Sequence, residues 1–428
     1  MTVVPLPGHA PERLEAAKVA TSLVFAINGW TFATWAGRIP TLREDLGLTP
    51  GQLGLLMLIG SAGSLIGLPF AGRLVHRYGA AWSVRTGAAL TLSALMVVGF
   101  TAGVHHSVPA TMLPLFLSML GIGVWDVSMN IEGAAVEHHL GRTIMSRYHA
   151  AFSLGTVLSA LLSSGLTAAR VPIVAHFWVA APLIFLAVAL CVRSFLPRAE
   201  ETDEPEPYEP EPYEPEPSAT TAVDPSAGGS AWREPRTLLI GLVTMVAAFT
   251  EGAANDWLSV AFIDGYHLPQ WAGVLGFAVF LGFMTAGRWF GAPLLDRYGR
   301  VPVLRSLFVL AGAGSLLVVF GSAPLAYLGA AIWGIGVSLG FPVGMSAAAD
   351  DPARAATRMS VVSTIAYGAF LMGPPGLGWL GDHVGVLRAL GVVSALLIVA
   401  LAAVPAVRES SRGEWPEKVG GPRTSSEN

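Results

Sequence analysis

Two carboxylates, Asp126 and Glu251, lie inside strongly apolar stretches of this 428-residue chain. Placing such a group in a membrane-spanning helix costs about 3 kcal/mol of insertion free energy even on mild scales, so we expect each carboxylate to have a structural or functional role. A carboxylate at such a position binds either a proton or a polar solute. We therefore interpret both as proton-binding or solute-binding residues; the alternative is a buried structural pair with an arginine or a helix terminus.

Polar neighbours accompany both acids at helical spacing. Asn130 follows Asp126 by four residues and Asn255 follows Glu251 by four, so each amide lies one turn from its acid on the same helix face. Gly252 beside Glu251 predicts that this helix bends or unwinds near the acid. His149 is interpreted as a surface or packing residue, with proton transfer as the alternative.

The composition places the chain in the membrane class. Hydrophobic residues make up 53% and charged residues only 13% of the sequence. The acidic residues are concentrated between Glu200 and Glu216, and no basic surface for nucleic acid is indicated. A single cysteine, Cys191, excludes an internal disulfide and a cysteine-based metal site. The sequence has no P-loop, no zinc-ligand spacing and no domain outside the membrane that is large enough to be an enzyme, so we expect no enzyme, no cofactor and no use of ATP.

Twelve apolar runs of roughly 20 residues predict twelve membrane-spanning helices, six in each half. They cover residues 18–39, 51–72, 83–104, 109–131, 147–168, 173–195, 237–259, 271–294, 302–321, 324–347, 359–380 and 386–407. With the N-terminus inside, 21 of the 25 lysines and arginines fall on the cytoplasmic side. We expect a multi-pass protein of a bacterial cytoplasmic membrane with both termini cytoplasmic.

These spans divide the chain into five segments. We predict a cytoplasmic tail (1–17), a six-helix bundle (18–197), a cytoplasmic linker (198–236), a second six-helix bundle (237–407) and a second tail (408–428). The linker contains an acidic, proline-rich run from Glu204 to Pro217. Such a run favours an extended, solvated spacer, and binding of a partner is the alternative.

The two halves repeat one another. Arg77, Gly79 and Arg85 recur 220 residues later in the chain, as Arg297, Gly299 and Arg305. A Gly-Ile-Gly-Val sequence occurs at 121–124 and again at 334–337, an alignment that places Leu339 opposite Asp126. Repetition at half the chain length is typical of transporters built from two bundles.

The basic loops resemble the loop signature of the major facilitator superfamily, and the resemblance covers essentially the whole chain. That resemblance implies twelve helices in two pseudo-symmetric bundles and a cytoplasmic gate formed by the two loops. The second copy has Asp296 where the first has His76, and Arg300 where the first has Ala80. The predicted gate residues are Arg77, Gly79, Arg85, Asp296, Arg297, Gly299 and Arg300.

A narrower resemblance, to fucose-permease-like sugar:proton symporters and uncharacterised bacterial relatives, rests on Gly121 to Asn130 in span 4. It implies that Asp126 binds a proton and solute. The second carboxylate of that family, in span 1, has no counterpart between Trp35 and Pro40. In the superfamily, spans 1, 4, 7 and 10 line the central cavity, which adds four tryptophans and one amide to the candidate site: Trp30, Trp35, Trp257, Trp333 and Asn28.

Amides beside indole rings are typical of sugar sites, although tryptophans also anchor proteins at membrane interfaces. We expect a monomeric secondary active transporter in the bilayer, whose ligands are protons and a small polar, sugar-like solute. The alternatives are proton-antiport efflux of a drug-like compound or secondary metabolite, and a transceptor that signals through the acidic linker.

Overall fold

The computed structural model describes residues 11–141, 143–197, 231–351 and 354–409. The first half contains α1 (Pro11–Ala36), α2 (Ile39–Leu46), α3 (Pro50–Tyr78), α4 (Ala80–Gly103), α5 (Val108–Leu140), α6 (Met145–Ala168) and α7 (Ile173–Cys191). The second half contains α8 (Pro235–Tyr266), α9 (Gln270–Tyr298), α10 (Arg300–Phe320), α11 (Ala323–Val337), α12 (Gly340–Ala348), α13 (Ala355–Val384), α14 (Val386–Ala389) and α15 (Gly391–Ala403).

Ten helical stretches in the described ranges are long and apolar enough to cross a membrane. Within these ten, α11 with α12 and α14 with α15 each form one span. The helices α1 and α13, with 26 and 30 residues, are long enough to cross a membrane and lie at the places of the first and eleventh predicted spans. The predicted all-α membrane fold is confirmed, and six spans in each half are consistent with it.

The packing of the two halves follows one plan. In the first half α1 packs on α6, α5 lies between α3 and α4, and α4 packs on α7. In the second half α8 packs on α13, α11 lies between α9 and α10, and α10 packs on α15. The halves meet where α3 packs on α13 and where α6 packs on α9. The pseudo-two-fold axis that relates the halves converts one junction into the other, because α3 corresponds to α9 and α6 corresponds to α13.

Glycines set the closest helix approaches in both halves. A Cβ atom at Gly87 of α4 would lie 2.9 Å from the Gly121 oxygen and 2.9 Å from the Trp125 nitrogen. A Cβ atom at Gly314 of α10 would lie 2.6 Å from the Gly329 oxygen and 2.4 Å from the Trp333 nitrogen. Such small residues let backbones approach in lipid.

The close approaches agree with the predicted alignment of the halves. A Cβ atom at Gly121 would lie 2.7 Å from the Gly87 oxygen, and one at Gly336 would lie 2.6 Å from the Leu307 oxygen. Gly87 and Leu307 each lie eight residues after the glycine of their basic loop, so Asp126 lies opposite Leu339 or within two residues of it. An acid is found at this place in only one of the two halves.

Several helix boundaries differ from the predicted ones. α1 begins at Pro11, within the predicted tail, and α5 continues to Leu140. α8 runs unbroken past Gly252, whereas span 10 is interrupted at Ser338 and Leu339. Residues 198–230 of the predicted linker and residues 1–10 and 410–428 of the tails lie outside the described residues.

One end of the bundle is closed by polar contacts between the halves. We call it the sealed face: α2, the start of α3, the α8–α9 connection and the end of α13. Arg43 pairs with Asp264 at 2.6 Å, and the Thr41 hydroxyl donates to the Gln270 side chain at 2.9 Å. The Ser164 hydroxyl donates to the Trp271 carbonyl at 2.8 Å. These contacts hold α2 and α6 of the first half against the α8–α9 connection of the second.

Asp382 adds a helix cap that crosses between the halves. Its carboxylate accepts the Gly51 amide at 3.0 Å, at the first turn of α3. Thr49 caps the same helix from within the first half, through a capping box with Gln52. A carboxylate near a helix N-terminus is stabilised by unpaired amides and by the helix dipole. Asp382 therefore links α13 to α3 electrostatically.

Replacing Asp382 by Asn should loosen the sealed face, because a neutral amide no longer complements the start of α3. The loss should be on the order of 0.5–1 kcal/mol, which corresponds to about a twofold to fivefold faster opening. The measurement is the maleimide labelling rate of a cysteine replacing buried Leu48, in a Cys191→Ser background.

The matched control is Glu12→Gln, which removes the charge of a carboxylate in the first turn of α1, at the end of the bundle opposite the sealed face. In this variant the cysteine should be labelled at the parent rate. An unchanged labelling rate in Asp382→Asn would show that the cap does not hold the face closed.

Candidate functional site

Glu251 is paired with an arginine in the middle of the second bundle. It lies midway along α8, and Arg288 lies on the neighbouring α9. One terminal nitrogen of Arg288 donates to both carboxylate oxygens of Glu251, at 3.1 and 3.0 Å. The Glu251 and Arg288 side chains remain 22% and 30% exposed, so the pair is not sealed off inside the bundle. Opposite charges held this way offset much of the cost of burying either one.

Sequence reasoning missed Arg288. It lies within the predicted span 271–294, but its charge was assigned to the cytoplasmic loop that follows. The structure places it ten residues before the end of α9 at Tyr298, which is roughly 15 Å from that end. The sequence signal for Arg288 was a charged residue inside an apolar run, and this signal is as strong as the one that identified Asp126 and Glu251.

Arg288 also contacts the interruption in span 10. Its Nε donates to the Ser338 carbonyl at 3.3 Å, between α11 and α12. Discontinuous helices at mid-membrane are typical of transporter binding sites. The predicted interruption near Gly252 in α8 thus occurs instead in the adjacent span.

The sequence Gly336-Val-Ser338-Leu-Gly340 matches, letter by letter, the Gly-x-Ser-x-Gly pattern of hydrolases. That pattern requires a strand-to-helix turn, but here Ser338 joins two helices and its hydroxyl donates to the Ile335 carbonyl at 2.7 Å. Ser338 therefore does not have the geometry of a hydrolase nucleophile.

Asp126 has a different environment. It lies near the middle of α5, partly exposed, and its carboxylate has no hydrogen-bond or ion-pair partner among the described residues. Asn130 does not bind this carboxylate, because its amide donates to the Asp126 backbone carbonyl at 2.8 Å. Tyr367 of α13, in the other half, is close enough for the Asp126 charge to act on its phenol. Asp126 therefore lies where the halves face each other.

His149 lies on the same inner side of the bundle. It is exposed, packs edge-on against Phe25 at 5.4 Å and lies within electrostatic reach of Arg288. Because α6 and α9 belong to different halves, His149 and Arg288 bring two basic groups together across the junction. The packing role predicted for His149 accounts for only one of these contacts.

The two candidate amides on α1 and α8 have unpaired atoms. Asn28 is 2% exposed and its amide nitrogen has no partner among the described residues. Asn255, one turn from Glu251, has a buried side-chain oxygen that is likewise without a partner in the described part of the chain. A buried unpaired amide costs about 1–3 kcal/mol, and a bound polar molecule would remove this cost.

The four candidate tryptophans do not form one group. Trp30 lines an apolar groove of about 660 Å³ between α1, α6 and α7, with Leu154 and Leu183 among its exposed neighbours. Trp257 and Trp333 are completely buried, and Trp35 is 8% exposed. Trp333 packs edge-on against Phe280 at 5.8 Å. The structure places Trp333 in the core of the second bundle and Trp30 on the outside of the first.

The two basic loops have the same backbone conformation at their glycines and the same stacking of an arginine on a tyrosine. Gly79 and Gly299 adopt φ values of 83° and 79°, which favour glycine because they lie in the left-handed region. Arg77 stacks on Tyr78 at 5.3 Å, and Arg297 stacks on Tyr298 at 5.2 Å. The duplicated loop is therefore a duplicated structure.

Among the predicted gate residues, Arg300 makes the ion pairs. It binds Asp350 at 2.7 Å and the Ser346 hydroxyl at 2.9 Å, both near the end of α12. Asp296 lines a cavity of about 650 Å³ with Arg300 and has no ion pair in the described ranges. Arg85 is exposed on α4. The described residues contain no Asp296–Arg297 ion pair.

A second cluster at this end ties α8 to α13. Glu234 precedes α8 and binds Arg354 and, at 2.8 Å, Arg358. Burial by itself would raise the pKa of Glu234, but hydrogen bonds from Thr237 and Arg358 and the charges of Arg358 and Arg354 hold it below its usual value. The carboxylate is therefore stabilised in its ionised form.

The chain is similar to proteins of one family along nearly its whole length. The model of the Major Facilitator Superfamily matches residues 21–374 and 272–425. An uncharacterised transporter of Sinorhizobium fredii, y4wD, is 29% identical over 384 residues, which cover 89% of this chain and 96% of that protein. The membrane protein MosC of Rhizobium meliloti is 26% identical over 405 residues, covering 94% and 93%.

Two solved structures share the fold. The nucleoside transporter NupG matches with a TM-score of 0.69 at 13% identity, covering 91% of this chain and 98% of that one. A bacterial homologue of the lysosomal transporter Spinster, inward-facing and unoccupied, matches with a TM-score of 0.67 at 14% identity, covering 94% and 100%.

The narrower resemblance to fucose permeases stays a prediction, because none of these four proteins bears that name. The family model, the curated relatives and the two-bundle architecture agree on the broader assignment. The chain belongs to the Major Facilitator Superfamily and is a multi-pass membrane transporter of that type.

Proposed function

We propose that this protein is a proton-coupled secondary active transporter of a small polar, sugar-like solute, working by alternating access. The observation that carries the proposal is Asp126, a carboxylate near the middle of α5 with no partner among the described residues. Such a group costs about 3 kcal/mol unless it is neutralised, and binding a proton neutralises it. The corresponding stretch of the other half, Leu339 to Phe341, carries no charge, so packing of the fold does not require an acid there.

The second acid supports the same proposal. Glu251 is held by Arg288 at the depth of the interrupted span 10, in the middle of α8. Asn255 presents an unpaired oxygen one turn away, and Asn28 has an unpaired nitrogen on α1. A hydroxylated solute satisfies both kinds of group, since each hydroxyl both donates and accepts. This pattern favours a sugar-like solute over an apolar drug-like one.

Alternating access is supported by the asymmetric ends of the bundle. The sealed face joins the halves through Arg43–Asp264 and the Asp382 cap. At the opposite end, the ion pairs of Arg300 and Glu234 join residues of the second half only. With the N-terminus in the cytoplasm, as we propose from the distribution of arginines, this arrangement is an inward-open state of a transporter in a bacterial cytoplasmic membrane.

Replacing Asp126 by Asn should abolish solute accumulation driven by a pH gradient while sparing counterflow exchange, because the amide cannot take up and release the proton. The measurement uses proteoliposomes with an imposed pH gradient of either sign and a panel of radiolabelled sugars, nucleosides and drug-like cations. Gradient-driven uptake should fall by about 10²-fold or more, as expected when a proton-transfer group is lost.

Glu12→Gln, an exposed carboxylate at the start of α1, is the matched control and should accumulate solute like the parent protein. Undiminished gradient dependence in Asp126→Asn would contradict the role of Asp126. Uptake only with the reversed gradient, and only of drug-like cations, would favour efflux by antiport.

Deleting Glu204 to Pro217 should leave the transport rate within about twofold of the parent, because a solvated spacer only tethers the two bundles. The deletion separates the transporter from the transceptor alternative. Transport is measured in the same proteoliposomes, and growth on the transported solute is measured in cells. Normal uptake combined with loss of a solute-dependent transcriptional response would favour signalling through the linker.

A further inference from the structure

The interruption of span 10 lies one turn before a proline. In a continuous α-helix the carbonyl of one residue accepts the amide four positions later. For Ser338 that position is Pro342, which has no N–H group. α11 ends at Val337, α12 starts at Gly340, and the next backbone bond runs from the Val343 amide to the Leu339 carbonyl at 3.0 Å. The Ser338 carbonyl loses its donor in the middle of the bundle.

Arg288 supplies the missing donor from the neighbouring helix. Its Nε lies 3.3 Å from the Ser338 oxygen, while the terminal nitrogen of the same guanidinium holds Glu251. An unsatisfied carbonyl in lipid costs several kcal/mol, so the arginine stabilises the interruption. Only a planar group with several fixed donors reaches both acceptors at once. Arg288 therefore joins α8, α9 and span 10 through one side chain.

The far end of α12 is held by a second arginine. Arg300 binds the Ser346 hydroxyl on α12 and Asp350 just after it, at 2.9 and 2.7 Å. Arg300 opens α10 directly after Gly299 of the basic loop. The nine residues of α12 thus run from the Glu251–Arg288 pair to the loop at the opposite end of the bundle.

The first half lacks this arrangement. By the alignment of the basic loops and the helices that follow them, Ser338 and Pro342 correspond to positions within residues 123–129 of α5. That stretch contains no proline, and α5 is continuous through it. An interruption bridged by an arginine therefore occurs in one half of a pseudo-symmetric pair, beside an acid of the candidate site.

We infer that Arg288 is a positioning residue that replaces the hydrogen-bond donor removed by Pro342 and thereby couples Glu251 to α12 and the basic loop. When the contact with Glu251 is lost, the guanidinium is less well held at the Ser338 carbonyl and α12 is less firmly attached to α11. This coupling goes beyond the proposed function and is independent of the solute, so its test needs no transport.

The test is hydrogen–deuterium exchange of the full-length protein in detergent micelles, followed by mass spectrometry of peptides that cover residues 338–349. Arg288→Gln should speed exchange of these amides by about fivefold or more, the effect expected when a buried hydrogen bond to a charged group is lost. Pro342→Ala restores the missing N–H group and should slow exchange. In the Pro342→Ala background the effect of Arg288→Gln should fall to less than about twofold, because the backbone then satisfies Ser338.

Coupling to the acid is tested with Glu251→Gln. This variant should speed exchange of α12 in the parent protein but add nothing in the Arg288→Gln background, because the arginine carries the effect. Arg388→Gln, an exposed arginine at the other end of the same half, is the matched control and should exchange like the parent.

The inference would be overturned if the amides of residues 338–349 exchanged at the same rate in the parent and in Arg288→Gln. It would also be overturned if Arg288→Gln sped their exchange as much in the Pro342→Ala background as in the parent. A full Glu251→Gln effect without Arg288 would overturn the coupling. If Arg288→Gln does not fold, Glu251→Gln with and without Pro342→Ala decides the same question. Loss of proton-driven uptake in Asp126→Asn has no bearing on these results, so the two proposals fail separately.

Discussion

The contact between Arg288 and Glu251 brings two opposite charges together in the middle of a helix bundle, where neither would be stable alone. Lipid offers no water to a charge or to a freed backbone carbonyl, so both must be satisfied from within the protein. One guanidinium meets both needs, for Glu251 on α8 and for Ser338 in span 10. One side chain thus stabilises both the interruption of span 10 and the acid buried beside it.

Around this contact the bundle is built from small residues. Gly87 and Gly314 allow the backbones of neighbouring spans to approach closely in both halves. The packing plan that the halves share produces the two matching junctions, α3 with α13 and α6 with α9. Two junctions related by one pseudo-two-fold axis are the arrangement in which the proposed rocking of the halves is expected.

The differences between the halves are where function is expected. Asp126 stands opposite the uncharged stretch from Leu339 to Phe341, and the interrupted span 10 stands opposite the continuous α5. One half thus contributes an acid with no partner among the described residues, and the other contributes an acid already paired with an arginine. Under the proposed function Asp126 gains and loses a proton while Glu251 holds a fixed position, and these two roles have the different electrostatic requirements that the two environments would meet.

The sequence by itself determined the membrane class, the two-bundle fold, the duplicated basic loops and the acids Asp126 and Glu251, because hydropathy, repetition and a charge in an apolar run are local properties. It missed Arg288 as the partner of Glu251, and it placed Trp30 and Trp333 in one site although Trp333 lies in the core of the second bundle and Trp30 lines a groove on the outside of the first. Only the tertiary structure decided these points. The physical reason is that partners and exposure depend on how helices rotate and pack against each other, which no single segment encodes.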